Sequence, residues 1–386
     1  MTRKEFIKIC SLLGISIPFK SVFATPKQSF FNSLKSSKFK GKVLIIGTGA
    51  AGLTAAYRLS QLGVDFQILE ASSTYGGRMK TTNDFVDFPI PLGAEWLHIE
   101  RSIFHEITNN PKVNLNFKTT PYKSGDYGLY DGEEVSMDDM GFGIDQKFIG
   151  FSWLDFYKQY ILPSVKDQIK YNQIIRSIDY SSDTIIAKTS KDIFTADKII
   201  ITTPVKMLQN NSITFIPKLP DDKQEAIRDV TVWDGFKAFI EFSEKFYPTV
   251  TEFNVSGQKM YYDASYGQKS NRNVLGVFAV GPVTLPFLKL PDSKIINYIL
   301  EELDEIFSGK ASKSYIKHIS QNWSNEPFIK GAYVYDEESW RTIKTLGKSI
   351  NNKLFFAGTA YTEGDDWGGV HSAARSAIRS VNEILD

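Results

Sequence analysis

Three glycines, Gly47, Gly49 and Gly52, follow an apolar run from Val43 to Ile46. At this spacing Gly47 permits a tight turn, Gly49 lets the backbone approach a diphosphate, and Gly52 lets the following helix pack closely on the strand. Ala51 stands between the last two and faces the same turn. Glu70 lies 18 positions beyond Gly52, where a carboxylate can accept hydrogen bonds from ribose hydroxyls and would repel a 2′-phosphate. Ala71 follows it, and Gly76-Gly77-Arg78 adds two unhindered backbone positions and a forked cation suited to the same diphosphate. The remaining residues with chemical potential are isolated. Lys237 is the one lysine among aromatic residues in Phe236-Lys-Ala-Phe-Ile-Glu-Phe242, and His98 ends Leu92-Gly-Ala-Glu-Trp-Leu-His98.

These groups need a particular framework. Lys42–Ile46 reads as a buried strand, Leu53 to Leu62 as a helix with Ala51, Ala55, Leu59 and Leu62 on one face, and Asp65 to Glu70 as a second strand. The pattern predicts an α/β chain with a Rossmann-like dinucleotide-binding domain. Phe85 to Phe88 is expected as a short strand, Phe151 to Val165 as an amphipathic helix, and Ile174–Ile178, Thr184–Ala187 and Ala196–Pro204 as successive strands. Trp233 to Phe242 alternates, with Phe236, Ala238, Ile240 and Phe242 on one face and Lys237, Phe239 and Glu241 on the other. The chain closes with a buried strand over Lys353–Thr359 and a helix carrying Val370, Ala373, Ala374, Ala377, Ile378, Val381, Ile384 and Leu385 at helical spacing.

Glu70-Ala71 with Gly76-Gly77-Arg78 resembles the second phosphate-binding segment of the FAD-dependent amine oxidase family, which groups monoamine, polyamine and L-amino-acid oxidases with protoporphyrinogen oxidase. The resemblance implies a discontinuous FAD-binding domain with an α+β substrate domain, and it assigns roles to residues. The segment Gly93-Ala94-Glu95-Trp96-Leu-His98 is similar to one that passes beside the flavin ring in polyamine-type members, with the histidine facing substrate; a histidine hydrogen-bonded within its loop is the alternative. Amino-acid oxidases have an arginine in this neighbourhood, so Glu95 and Trp96 favour a cationic amine. Ile175 matches a position that lays its backbone against the adenine. Lys237 matches a lysine that holds a water against flavin N5, with a solvated strand face as the alternative. Trp323 corresponds to a tryptophan packed on the flavin and Tyr333 to one wall of an aromatic cage. Ala332 stands where covalent flavin enzymes carry cysteine, which implies non-covalent FAD. In Phe356-Ala-Gly358-Thr359 the family usually has an acid where this chain has Thr359 or Ala360. Gly369 and Val370 open the last helix, whose N-terminus faces the flavin in relatives, and Trp367 is the aromatic residue nearest the second cage wall. Helices roofing the substrate cavity are implied for 101–165, with Tyr122, Tyr127, Tyr130 and Trp153 as candidate lining.

The resemblance thus implies oxidative deamination of a primary or secondary amine, including polyamines, with hydride transfer to flavin and reoxidation by O2. A flavin desaturase or protoporphyrinogen-type oxidase and a non-catalytic flavin-binding protein are the alternatives. The 386 residues, 42% hydrophobic and 23% charged, fit two lobes sharing a cleft. A net charge of +1 gives no electrostatic basis for nucleic-acid binding, and no apolar run reaches the roughly 20 residues a bilayer span needs. Residues 1–24 resemble an export signal, with Arg3, Lys4 and Lys8 before an apolar stretch from Ile9 to Phe19 and Val22-Phe-Ala24 as a cleavage site. Its start is similar to the twin-arginine pattern, which suits a periplasmic flavoprotein folded before export; general secretion, a membrane tether and a cytoplasmic tail are the other readings. Removal of this segment leaves 41 basic and 43 acidic groups, a net of −2, and takes away Cys10, the single cysteine. With four dispersed histidines, no metal site is expected. The expected division is a linker over 25–40, an FAD-binding domain over 41–100, 166–210 and 341–386, and a substrate domain over 101–165 and 211–340.

Overall fold

The computed structural model describes residues 39–122, 127–138 and 145–386. The expected export signal and nearly all of the linker lie outside the described residues. Strand Lys42–Ile46 is apolar on both sides because both sides are covered: Val43 and Ile45 enter one core, Leu44 and Ile46 another. It is the middle of five parallel strands in the order Leu354–Phe356, Lys198–Ile201, Lys42–Ile46, Asp65–Leu69, Ile169–Lys170. Helices Ala50–Gln61 and Val370–Leu385 lie against each other over one face, and the alanines Ala51, Ala55, Ala56, Ala373, Ala374 and Ala377 of that core let them approach. A Cβ on Gly52 would stand 2.0 Å from the Gly47 carbonyl oxygen, so only glycine allows the helix to start this close to the turn.

A four-stranded sheet in the order Ile193–Ala196, Ile185–Thr189, Ile175–Asp179, Thr214–Ile216 shares the core on the other face. The stretch expected as one strand over Ala196–Pro204 is divided. Ala196 ends a strand of this smaller sheet, and Lys198–Ile201 begins a strand of the parallel one. Asp197, at the crossing, accepts a hydrogen bond from the Lys42 N–H at 2.7 Å.

The third sheet has seven strands, ordered Tyr315–Asn322, Gly235–Phe242, Asn273–Val280, Gln258–Asp263, Val250–Phe253, Tyr127–Tyr130, Val135–Asp138. Phe236, Ala238, Ile240 and Phe242 pack with helix Asp292–Ile306, while Phe239 packs with Phe85, Phe88, Ile90 and Leu92 on the opposite face. The alternation read from the sequence is therefore real, but both faces are buried. No strand forms over Phe85–Phe88; those rings are anchors in a loop bracketed by the Thr82–Ile90 bridge.

The packing clusters group segments that are distant along the chain. Helix Ser102–Thr108 and the helical stretch from Trp153 through Ile161 place Ile103, Phe104, Ile107, Trp153, Phe156, Tyr157 and Ile161 in the core of the nucleotide half. Ile213, Leu219, Ala226, Ile227 and Val230 join the second core. Burial of apolar side chains, not order along the chain, assigns these segments. Among the described residues no helix is long and apolar enough to cross a membrane.

Candidate active site

One continuous cavity of about 1200 Å³ is lined by both the nucleotide half and the seven-stranded sheet. Its lining contains Gly47, Gly49, Ala51, Glu70, Ala71, Gly77, Arg78, Gly93, Ala94, Glu95, Trp96, His98, Ile175, Lys237, Trp323, Tyr333, Gly358, Thr359, Trp367, Gly369 and Val370. Of the residues assigned to cofactor binding or catalysis only Gly52 is absent from it, which accords with its packing role.

At one end the backbone is bare. A Cβ on Gly49 would meet nothing within 4 Å, and one on Gly77, at φ +54°, would stand 3.4 Å from the Gly49 Cα, so the two glycine segments form a single cradle. The N-terminus of helix Ala50–Gln61 opens there with no acid in its first turn. The Arg78 guanidinium donates to Thr359 Oγ1 at 2.9 Å and has no carboxylate within ion-pair distance among the described residues. Burial lowers its pKa to about 10, which leaves it charged at neutral pH. An unneutralised cation beside an open glycine cradle fits a diphosphate. It also gives a use to the departure at Thr359: a hydroxyl orients Arg78 without cancelling its charge.

Glu70 is already engaged. Its Oε2 accepts from Thr48 N–H at 2.8 Å and Thr48 Oγ1 at 2.6 Å, and its Oε1 from Ser72 N–H and Ser72 Oγ, both at 2.9 Å. A ribose would have to share this carboxylate with two rotatable hydroxyls. Ala94 N–H donates to the Arg78 carbonyl at 2.9 Å, and a Cβ on Gly93 would stand 1.8 Å from that same oxygen, so segment 93–98 is moulded onto the cradle. Trp323, buried on the cavity wall, is fixed by its Nε1 donating to Leu92 O at 2.9 Å.

In the middle of the wall, Lys237 Nζ donates to Glu95 Oε2 at 2.7 Å, Pro91 O at 2.9 Å and Gly93 O at 3.1 Å. All three of its protons are taken, so holding a water, the role the resemblance implies, requires one of these bonds to be surrendered. Glu95 Oε2 also accepts from Tyr262 OH at 2.6 Å, and Glu95 Oε1 lies 3.4 Å from Lys147 Nζ. Burial works to raise the Glu95 pKa, but the Lys237 and Lys147 ammoniums outweigh it and hold the carboxyl below its usual range. Burial lowers the pKa of both lysines, and Glu95 counters this in part. Glu95 is therefore neutralised by the protein itself. The inference that its charge favours a cationic amine does not stand on this geometry.

The far end mixes aromatic faces with carboxylates. Tyr333 OH donates to Gln258 Oε1 at 2.8 Å, and Gln258 Nε2 donates to Asp336 Oδ2 at 2.7 Å. Burial raises the Asp336 pKa, partly countered by the bond from Gln258. Trp367 is held by its Nε1 donating to Tyr335 O at 3.1 Å. His98 Nδ1 is 3.0 Å from Asp145 Oδ1, and His371 Nε2 is 2.6 Å from Asp366 Oδ2. Tyr127, Glu252, Met260 and Phe278 also line the cavity.

Of the four aromatic residues expected to line a roof, Tyr127 alone does so. Tyr122 stacks on Tyr266 and accepts from Trp96 Nε1 at 2.8 Å; Trp153 is a core residue donating to Trp96 O; Tyr130 packs edge-on against Phe253. Sequence reasoning did not find Lys147, Tyr262, Gln258 or Asp336. Asp336 follows Gly331-Ala-Tyr-Val-Tyr335 closely enough to have been noticed, whereas Lys147 sits in a stretch with no readable period. Among the described residues no His, Cys, Asp and Glu cluster could hold a metal ion.

A family model described as flavin containing amine oxidoreductase matches residues 50–149 and 157–385. The chain is 23% identical to probable polyamine oxidase 4 of Arabidopsis thaliana, over 89% of this chain and 87% of that one. It is 24% identical to polyamine oxidase 1 of Zea mays, over 89% and 90% respectively. Cyclohexylamine oxidase from Brevibacterium oxydans IH-35A superimposes with a TM-score of 0.76, covering 90% of this chain and 99% of that one at 14% identity. Wild-type putrescine oxidase bound to putrescine gives 0.71 with the same coverage and identity. These two likenesses show a shared fold.

Proposed function

Because the chain belongs to the flavin containing amine oxidoreductase family, we propose that it oxidatively deaminates a primary or secondary amine bearing a second cationic group, a diamine or polyamine, with non-covalent FAD as acceptor and O2 as the final oxidant. The observation that carries this reading is that Tyr333 and Trp367 line the same cavity as Asp336, Glu252, Asp145 and the diphosphate cradle, with Gln258 linking Tyr333 to Asp336. The polyamine oxidase names of the relatives point the same way. Ala332 on the cavity wall offers no thiol for a flavin bond, and the single cysteine, Cys10, is remote in sequence.

Bound FAD supplies the acceptor for a hydride equivalent from the amine α-carbon; water then converts the imine to a carbonyl compound and ammonia or a smaller amine, and O2 leaves as peroxide. The chain's own residues select and orient. An alkylammonium has a pKa near about 10, as in lysine, so the reacting nitrogen must shed a proton before it can be oxidised. Aromatic walls at Tyr333 and Trp367 exclude water there and disfavour the charged form. The second nitrogen keeps its charge against Asp336, whose position is set by Gln258 and, through it, by Tyr333. Glu95 is not the base, since its carboxylate is committed to Lys237 and Tyr262. Residues 1–24, with a basic start and an apolar centre, support export to the periplasm.

Asp336→Asn tests this reading. It is expected to raise KM for a diamine on the order of tenfold, the equivalent of about 1.4 kcal/mol, with little change for a monoamine of equal chain length. Equal effects on both substrates would remove the second cation from the account.

A further inference from the structure

Lys147 is a charge that the reaction as described does not use. It lies on strand Gln146–Ile149, is 3% exposed, and donates to the carbonyls of Asp263 at 3.1 Å and Ala264 at 2.5 Å. Its nearest carboxylate oxygen is Glu95 Oε1 at 3.4 Å, an atom with no hydrogen-bond partner among the described residues. The other Glu95 oxygen is bound by Lys237 at 2.7 Å. Two buried ammoniums thus share one buried carboxylate. The carboxylate of Asp263, the other acid near Lys147, is paired with Lys245 at 2.8 Å and brings no surplus negative charge. Tyr262 is neutral, because burial and Glu95 keep its hydroxyl well above the usual phenol range. With both lysines protonated, the trio carries one positive charge in excess of its single carboxylate.

A buried surplus charge destabilises a fold unless an opposite charge comes near it. The trio borders the cavity through Lys237 and Glu95, next to Gly93, Trp96 and Trp323, on the wall a flavin would share. A flavin becomes more electron-rich on reduction, so a fixed cation close by stabilises the reduced form more than the oxidised form. We propose that Lys147 supplies this cation: by sharing Glu95 it keeps the Lys237–Glu95 pair from being electrically neutral and so raises the reduction potential of the bound flavin. Lys147 acts through Glu95 and Lys237, without lining the cavity itself.

The test rests on flavin being bound but not on which amine is oxidised. The midpoint potential of the flavin is measured in the holoprotein by equilibrium reduction against a reference dye, with no substrate present. Lys147→Gln is the main variant, since its amide can still donate to the Asp263 and Ala264 carbonyls while the charge is lost; Lys147→Met is the second neutral variant, and Lys147→Arg keeps the charge. Both neutral variants are expected to shift the potential downward, and Lys147→Arg to remain near the wild type. Should either neutral variant fail to retain flavin, the other together with the arginine variant decides. Potentials that are the same in the wild type, the neutral variants and the arginine variant, or that follow side-chain size and not charge, would overturn the proposal. A wild-type protein that binds no flavin would instead defeat the cofactor reading beneath it.

Discussion

Arg78 and Asp336 show how single side chains acquire a function from what is left unpaired. Arg78 meets a hydroxyl at Thr359 where an acid would have cancelled it, so its charge remains for a ligand. Arg78→Met is expected to weaken FAD binding by roughly 10- to 100-fold, in line with about 1.5–3 kcal/mol for hydrogen bonds to a charged group, measured by equilibrium dialysis of the apoprotein. Partial burial raises the Asp336 pKa from its ordinary value, and the bond from Gln258 counters this in part. Below its pKa it is neutral and cannot hold an ammonium, so diamine KM should fall as pH rises through that raised value, and Asp336→Asn should abolish this limb. At this scale the sequence spoke clearly where a motif fixes backbone and side chain together, as at Gly47, Gly49 and Arg78. It was silent on Lys147 and Tyr262, which reach Glu95 from more than 50 positions away in the chain. No local spacing encodes such a meeting. The lysine at 237 was readable as exceptional among aromatic neighbours, but its partners were not.

Among the elements, those with a strong period were read well and those defined by long-range burial were not. Strand Lys42–Ile46, strand Gly235–Phe242 and helix Val370–Leu385 carry their own patterns. The Phe85–Phe88 segment has strand-like composition, yet its rings are drawn separately into the core under the large sheet, so no ladder forms. Helix Trp340–Gly347 shows a further device invisible to periodicity. Its C-terminal end is capped by Lys223, buried on helix Asp221–Asp229, which donates to Thr345 O at 2.9 Å and to Leu346 O and Lys348 O at 2.7 Å each. Its ammonium also lies 3.9 Å from the centre of the Phe356 ring. Lys223→Met strands three carbonyls and is expected to cost about 3 kcal/mol. A thermal melt followed by circular dichroism should show a lower midpoint, while the flavin spectrum of the folded variant stays unchanged. An unchanged midpoint would mean that water replaces the cap.

For the whole molecule, the cavity lies where the nucleotide half and the seven-stranded sheet meet along segment 91–98. Lys237 ties that segment to the large sheet, and the Ala94 N–H ties it to the Arg78 carbonyl on the nucleotide side. The same contact line makes the cofactor end and the amine end continuous, which is what the proposed reaction requires. Residues 102–108 and 153–161 bury their apolar faces with the nucleotide half, a placement set by long-range packing and not by chain length. The central claim is that a flavin in this cavity is reduced by an amine. The most direct measurement is the absorbance spectrum of the purified protein under anaerobic conditions, before and after addition of diamines, polyamines, monoamines and amino acids in turn. Bleaching of the oxidised-flavin bands by diamines or polyamines, at lower concentration than by monoamines and with recovery when air is admitted, is the predicted result. A flavin spectrum that none of these amines bleaches would contradict it.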